Sequence, residues 1–213
     1  MFQDREDAGK KLAEALEKYK EKKPLILAVP RGGVEVGYQV AESLESDFSI
    51  IVSRKLPFPD SPEAGFGAIA EDGSMFIFEQ AEDWLEAKDI RRIGKEQKKE
   101  IKRRIEILRG GGPLPEIEGR TVILVDDGIA MGSTMRAAII LCRKKKAGKV
   151  IVAVPVAGSD IAREMRLLAD EAVILEEPPF FRAVAEVYKK WYDVSDREVL
   201  EIMKKWKKRK KEF

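Results

Sequence analysis

The chain has 213 residues, of which 44% are hydrophobic and 37% are charged, a composition typical of a globular protein with a densely charged surface. The formal net charge of +2 gives no general argument for nucleic-acid binding. The absence of His excludes a Ser-His-Asp triad and most zinc sites. The single Cys, Cys142, excludes an internal disulfide, and its apolar surroundings predict a buried small hydrophobe.

The apolar stretches of the sequence are all far shorter than the roughly 20 residues that a membrane-spanning helix needs. The N-terminal residues also lack the apolar segment of a signal peptide. We therefore expect a cytoplasmic protein without a membrane partner. The sequence is rich in Lys and Glu and contains no Asn, a bias that favours a heat-adapted source.

Helical periodicity and short apolar runs alternate in the first half of the chain. In chain order they predict a helix over 4–19, a strand over 25–29, a helix over 34–44 and a strand over 48–53. Residues 54–64 contain three prolines, so we expect no regular structure there. The next segments predict a hairpin, with strands over 66–70 and 75–78, and then a long charged helix over about 82–108.

The second half continues the same alternation. It predicts a strand over 121–125, a helix to about 146, a strand over 150–154, a helix over 159–168, a strand over 172–175 and a basic helix from about 195. Buried strands that alternate with helices indicate a parallel sheet covered on both faces. We therefore predict one α/β domain over 1–213, with a core over about 1–176 and a small C-terminal piece over about 177–213.

Two carboxylates, Asp126 and Asp127, follow the strand at 121–125. They stand at the end of the strand where open α/β sheets bind their ligands. A sugar with vicinal hydroxyls could donate hydrogen bonds to both acids. An acidic pair after a strand is common in proteins, however, so this feature alone is weak.

The residues after the acids turn into the next helix. Backbone N–H groups and two hydroxyls then lie at a helix N-terminus, an arrangement that favours a phosphate group. The alternative is that Gly-Ser-Thr only caps the helix. The predicted cradle consists of Gly128, Ala130, Met131, Gly132, Ser133 and Thr134.

The whole string from Val125 to Thr134 resembles the phosphoribosyl pyrophosphate (PRPP) motif of type I phosphoribosyltransferases. A second segment, residues 28–34, is similar to the pyrophosphate loop of the same family, whose sharp turn often contains a non-proline cis peptide. Arg31 could add positive charge there, and Gly32 and Gly33 permit close approach of the backbone. The alternative is an ordinary strand-to-helix turn with a solvated Arg31.

The resemblance covers nearly the whole chain and points to an uncharacterised branch of the family. It extends to the N-terminal stretch Phe2–Gly9 and to the tail from Phe181 to Val199. It implies a central parallel sheet flanked by helices, with a C-terminal hood over the acceptor site. Residues 54–65 stand in the place of the family's flexible loop, from which Arg54 and Lys55 could reach phosphate oxygens; a solvated loop base is the alternative.

The same resemblance implies transfer of ribose 5-phosphate from PRPP to a nitrogenous base, with Mg2+ as cofactor and release of pyrophosphate. Asp126 and Asp127 would hold the ribose hydroxyls, directly or through the metal and its water. Arg31, Arg54 and Lys55 would stabilise the departing pyrophosphate, so the predicted catalytic residues are Asp126, Asp127, Arg31 and Lys55. The main alternative is a regulatory protein that binds PRPP or a nucleotide without transfer.

Two positions depart from the family pattern. Met131 replaces a frequent Thr and removes one hydroxyl contact to the 5-phosphate. Ala130 replaces the Asp that handles the purine proton in members acting on 6-oxopurines, which makes those acceptors less favoured.

The C-terminal piece carries the candidate acceptor platform, Phe180 and Phe181, whose rings could stack on a planar base or simply pack the hood onto the domain. The spacing of Tyr188, Trp191 and Tyr192 predicts one helical face, mainly core. We interpret the basic end, Lys204 to Lys211, as a solvated helix end, and nucleic-acid binding there is the less favoured alternative. The resemblance also implies a homodimer.

Overall fold

The structure, a computed structural model, describes residues 1–209, apart from the side chain of Glu82. The strands within these residues are β1 (Leu25–Ala28), β2 (Asp47–Ile50), β3 (Ser53–Phe58), β4 (Ser61–Ala70), β5 (Met75–Ile77), β6 (Thr121–Val125), β7 (Lys149–Val156) and β8 (Glu171–Glu176). The α-helices in the same range are α1 (Arg5–Ala15), α2 (Gly32–Ser43), α3 (Ala87–Arg109), α4 (Ser133–Lys144), α5 (Ser159–Leu168) and α6 (Asp196–Arg209).

Five strands form a parallel sheet in the order β2-β1-β6-β7-β8. Successive residues of a strand point to opposite faces, so the sheet supplies two apolar layers. On β6, Ile123 belongs to one core cluster and Val122 and Leu124 to the other. Helices cover both layers, and the predicted α/β fold with a central parallel sheet is therefore confirmed.

A second sheet of three antiparallel strands, β3-β4-β5, contains a correction to the sequence prediction. We expected residues 54–64 to be irregular, but β3 and the start of β4 form a hairpin across them. Proline removes only an N–H donor, which a bulge or the exposed tip of a hairpin can spare. Pro57 lies at the register shifts of β3, and Pro62 lies in the exposed part of β4.

Other boundaries differ from the predictions in smaller ways. The first helix ends at Ala15, and a 3-10 turn over Glu17–Lys22 carries the remainder of the predicted 4–19 segment. The predicted hairpin of β4 and β5 is confirmed, as is the helix over Ser159–Leu168. Among residues 1–209, no helix is long and apolar enough to cross a membrane.

The C-terminal helix α6 packs beside the sheet. Its Trp206 meets the rings of Tyr38 and Phe48 edge-on, at centroid distances of 6.2 and 5.5 Å. The basic run that begins at Lys204 follows this helix to Arg209, and Lys210 and Lys211 lie outside the described residues. The division into a core and a separate hood stays a prediction.

Candidate active site

The two segments that resemble family motifs meet at one edge of the parallel sheet. β1 pairs in parallel with β6, so Ala28 lies beside Val125. The backbone N–H of Val29 also donates to the carbonyl of Val125 at 2.8 Å. The pyrophosphate-loop segment and the acidic pair therefore leave the sheet side by side, at the carboxyl ends where ligands of such sheets bind.

The pyrophosphate-loop segment lies directly against the acids. The peptide bond between Pro30 and Arg31 is cis, as the resemblance implied. A Cβ atom on Gly32 would lie 1.8 Å from Oδ2 of Asp127, and one on Gly33 would lie 2.8 Å from Cα of Asp126. Neither position has room for a side chain, which explains the glycine pair.

The acidic pair is held by hydrogen bonds at several atoms. The backbone N–H of Asp127 donates to Oδ1 of Asp126 at 2.9 Å. Burial, and then the neighbouring charge of Asp127, raise the pKa of Asp126 well above its ordinary value. On Asp127, Oδ2 accepts from Nε of Arg5 at 2.7 Å, and the carbonyl oxygen accepts from the hydroxyl of Tyr188 at 2.6 Å.

The turn after the acids ends at Gly132, whose φ of 74° is in the left-handed region that suits glycine. Helix α4 begins at Ser133 without a side-chain cap, so its first N–H groups lack intrahelical partners. Arg136 supports the turn by donating to the carbonyl of Met131 at 2.7 Å. The Met131 side chain is 60% exposed. The turn therefore offers mainly backbone N–H groups and the hydroxyls of Ser133 and Thr134.

The three predicted cations make contacts away from the acids. Nη1 of Arg31 lies 3.6 Å from Asp196 at the start of α6. Arg54 donates to Gln97 on α3 at 3.2 Å. Lys55 donates to the carbonyl of Glu63 in its own hairpin. The structure thus brings together the glycines, the acids and the turn, and it places Arg54 and Lys55 in contact with other elements.

The two candidate acceptor-stacking rings lie in different surroundings. Phe180 is 90% exposed, whereas Phe181 packs on a small apolar cluster that contains Phe2 and Val156. Val184, three residues after Phe181, packs against Gly128. A Cβ atom added to Gly128 would lie 2.6 Å from Cγ1 of Val184. The C-terminal segment therefore reaches the acidic motif, with Phe180 as the free ring.

Sequence reasoning missed the most buried cation of this region, Arg5 at the start of α1, which is 3% exposed. Its Cζ lies 4.0 Å from the ring centroid of Trp191, 5.3 Å from that of Tyr192 and 5.9 Å from that of Tyr188. We call these three rings the aromatic clasp. A signal was present, because Arg5 falls within the N-terminal stretch Phe2–Gly9 that shares the family resemblance.

The spacing of residues 188–192 predicted one helical, mainly core face, and this prediction is wrong. Backbone bonds from Lys189 and Lys190 to the carbonyls of Phe2 and Gln3 hold this segment beside the N-terminus, and Tyr188 has extended dihedral angles. Only Tyr188 is buried; Trp191 and Tyr192 are 38% and 43% exposed. The rings converge on Arg5 because the chain is not helical there.

The chain belongs to the phosphoribosyl transferase domain family, whose model matches residues 3–190. Two Mycobacterium tuberculosis proteins, Rv0571c of strain H37Rv and MT0597 of strain CDC 1551, are provisionally named phosphoribosyl transferases. Each is 38% identical over 205 residues, which cover 95% of this chain and 46% of the relative. The chain thus spans less than half the length of these curated relatives.

A solved structure supports the same fold. TT1426 from Thermus thermophilus is 35% identical to this chain and superposes with a TM-score of 0.82. The match covers 96% of this chain and 98% of TT1426. The predicted family is confirmed.

Proposed function

We propose that this chain is a phosphoribosyltransferase that uses PRPP and releases pyrophosphate. One observation carries the proposal. The acidic pair, the uncapped N-terminus of α4 and the glycine turn after β1 all meet at the carboxyl ends of β1 and β6. A ribose 5-phosphate needs hydroxyl acceptors at one end and a phosphate cradle at the other, and this edge offers both.

In the proposed reaction, an acceptor nitrogen forms a bond to C1 of PRPP while the bond from C1 to the pyrophosphate oxygen breaks. The electron pair of that bond leaves with pyrophosphate, and the proton of the acceptor N–H passes to solvent water. The ribose hydroxyls donate to Asp126 and Asp127, and the negative charge of Asp127 offsets the positive charge that develops on the sugar. The N–H groups at 132–135 and the hydroxyls of Ser133 and Thr134 hold the 5-phosphate. Gly32 and Gly33 let the loop backbone approach the leaving group.

The residues present fit Mg2+ when the substrate supplies most of the ligands. Within residues 1–209, no cluster of three or more acidic, His or Cys side chains could hold a metal. Asp126 and Asp127, which lie together at the end of β6, would hold the metal or its water. Magnesium sites often combine one or two carboxylates with substrate phosphates. The ion would neutralise pyrophosphate charge.

The acceptor is proposed to be a nitrogenous base, with 6-oxopurines less favoured. Ala130 is exposed at the turn and has no group that could exchange a proton with a purine nitrogen. Phe180 is the proposed stacking ring, because its side chain is free of the packing that occupies Phe181.

The deciding experiment supplies PRPP, Mg2+ and a panel of bases and measures pyrophosphate release. We expect release that depends on one base and is abolished by combining Asp126→Asn with Asp127→Asn. The control is Asp160→Asn, which alters an exposed acid on α5. Tight PRPP binding without release for any acceptor would instead indicate a regulatory protein. Absence of PRPP binding would refute the proposal.

A further inference from the structure

Arg5 stands among carboxylates at the candidate donor site. Besides its 2.7 Å bond to Asp127, its Nη1 lies 3.7 Å from Glu35 in the first turn of α2. Within the part of the chain that the structure describes, it is the one basic side chain ion-paired with either acid of the motif. It also abuts the glycine turn, where a Cβ on Gly32 would lie 2.8 Å from its Nε.

The contact fixes one oxygen of Asp127. Nε of Arg5 donates to Oδ2, so Oδ1 is the oxygen that this bond does not use. The main chain of the same residue is fixed separately by Tyr188. The carboxylate is thereby held in one orientation by a residue 122 positions away in the chain.

The aromatic clasp holds Arg5 in turn. A guanidinium stacked on Trp gains cation–π attraction, and Trp is the strongest partner among the aromatic side chains. Nη1 of Arg5 also donates to the carbonyl of Tyr192 at 2.9 Å, and the hydroxyl of Tyr192 donates to Glu35. The rings and these bonds restrain the guanidinium.

We propose that Arg5 is a positioning residue that orients Asp127 toward the ribose, and that the aromatic clasp sets donor affinity by holding Arg5. This inference rests on the proposed function, in which Asp127 accepts from a ribose hydroxyl. Lysine cannot replace Arg5, because an ammonium group has neither the planar face that stacks on Trp191 nor the fixed Nε geometry. The effect acts through Asp127, so it is larger at the ribose end of PRPP than at the pyrophosphate end.

Two fragments of PRPP, ribose 5-phosphate and pyrophosphate, test its two ends separately. Calorimetry with Mg2+ measures the Kd of ribose 5-phosphate and of inorganic pyrophosphate for the wild type, Arg5→Met and Arg5→Lys. We expect both variants to bind ribose 5-phosphate at least tenfold more weakly and to lose clearly less affinity for pyrophosphate. Arg163→Met, which alters an exposed arginine on α5, is the control and leaves both values unchanged.

A second pair of variants keeps the test valid if Arg5→Met fails to fold. Trp191→Ala removes the stacking ring but leaves the ion pair, so ribose 5-phosphate binding weakens several-fold. Trp191→Phe keeps an aromatic face and restores most of the affinity. If Arg5 had a purely structural role, its loss would lower the melting temperature, and the affinities for ribose 5-phosphate and pyrophosphate would not change by different factors.

Three outcomes overturn the inference. Unchanged ribose 5-phosphate binding in folded variants would make Arg5 only structural. Tighter binding would show that Arg5 blocks Asp127. An equal loss for pyrophosphate would indicate a general charge effect. If the wild type itself binds neither fragment nor PRPP, the proposed function fails, and that result differs from all three.

Discussion

The contact between the glycine turn and the acidic pair makes Gly32→Ala a sharp test of the site. The added methyl carbon would lie 1.8 Å from Oδ2 and 2.6 Å from Cγ of Asp127. Carbon and oxygen atoms in ordinary contact stay about 3.5 Å apart. The carboxylate must therefore move by roughly 1.7 Å, away from its place against Arg5.

The movement has a cost that can be worked from the bonds it breaks. Asp127 would lose its charged hydrogen bond to Arg5 and its alignment with a ribose hydroxyl. A hydrogen bond to a charged group contributes about 1.5–3 kcal/mol. Loss of the ribose contact alone then weakens binding roughly tenfold to a hundredfold, since about 1.4 kcal/mol corresponds to a factor of ten.

Calorimetry with ribose 5-phosphate measures this loss, and a melting curve checks that the variant is folded. The matched control is Gly112→Ala in the loop after α3, where the nearest atom to an added Cβ is the carbonyl of Arg109 at 3.5 Å. That variant should bind like the wild type. If Gly32→Ala also keeps wild-type affinity, Asp127 does not bind the ribose and the reasoning is refuted.

Three further predictions concern the folded state. Glu71 forms a bidentate ion pair with Arg109, and both side chains are 9% exposed or less. Glu71→Gln breaks this pair and should lower the free energy of unfolding by about 3–5 kcal/mol. A urea titration that shows a loss of under about 1 kcal/mol would contradict this. Burial raises the pKa of Cys142 to about 12, so iodoacetamide at pH 8 should alkylate only the unfolded chain, and mass spectrometry detects any native labelling. Hydrogen bonding, first from Lys18, lowers the pKa of Glu171 to about 2. The contribution of ionised Glu171 to the free energy of unfolding is therefore complete above the unfolded pKa of about 4.3 and is lost as the pH falls toward 2. Glu171→Gln should therefore reduce the dependence of the free energy of unfolding on pH in this acidic range.

Local sequence signals were sufficient for the elements that frame the site. The strand Thr121–Val125 matches its prediction because an apolar run ends at two acids. The glycine turn and the motif after this strand are contiguous strings, so their residue types and order carry the information. The sheet then brings the two strings together by pairing β1 with β6. The alternation of strands and helices predicted a parallel sheet, but not which strands are neighbours.

The hairpin of β3 and β4 could not be read from residues 54–64. A proline pattern reports which N–H donors are missing, but it does not report whether the fold needs those donors. Here Pro57 falls at register shifts, where the ladder is already broken. The pairing depends on a partner strand, and no local property of the segment specifies it.

The distances along the chain explain why sequence reasoning missed the cation that contacts the acids. Arg31, Arg54 and Lys55 were predicted as site residues because their segments resemble the pyrophosphate loop and the flexible loop of the family, and in the structure each contacts another partner. Arg5 reaches Asp127 across 122 positions and Tyr192 across 187 positions. Such contacts depend on how α1 and the tail cross the end of the sheet, which periodicity does not encode.

The same contacts give the family match a physical meaning. Asp127 is bonded at its side chain by Arg5 and at its carbonyl by Tyr188, so two segments far apart in sequence meet at one residue of the donor motif. The matched region runs from residue 3 to residue 190 and contains both partners. The placement of Asp127 therefore depends on segments far outside the motif of ten residues. The short motif alone could not show which cation contacts Asp127.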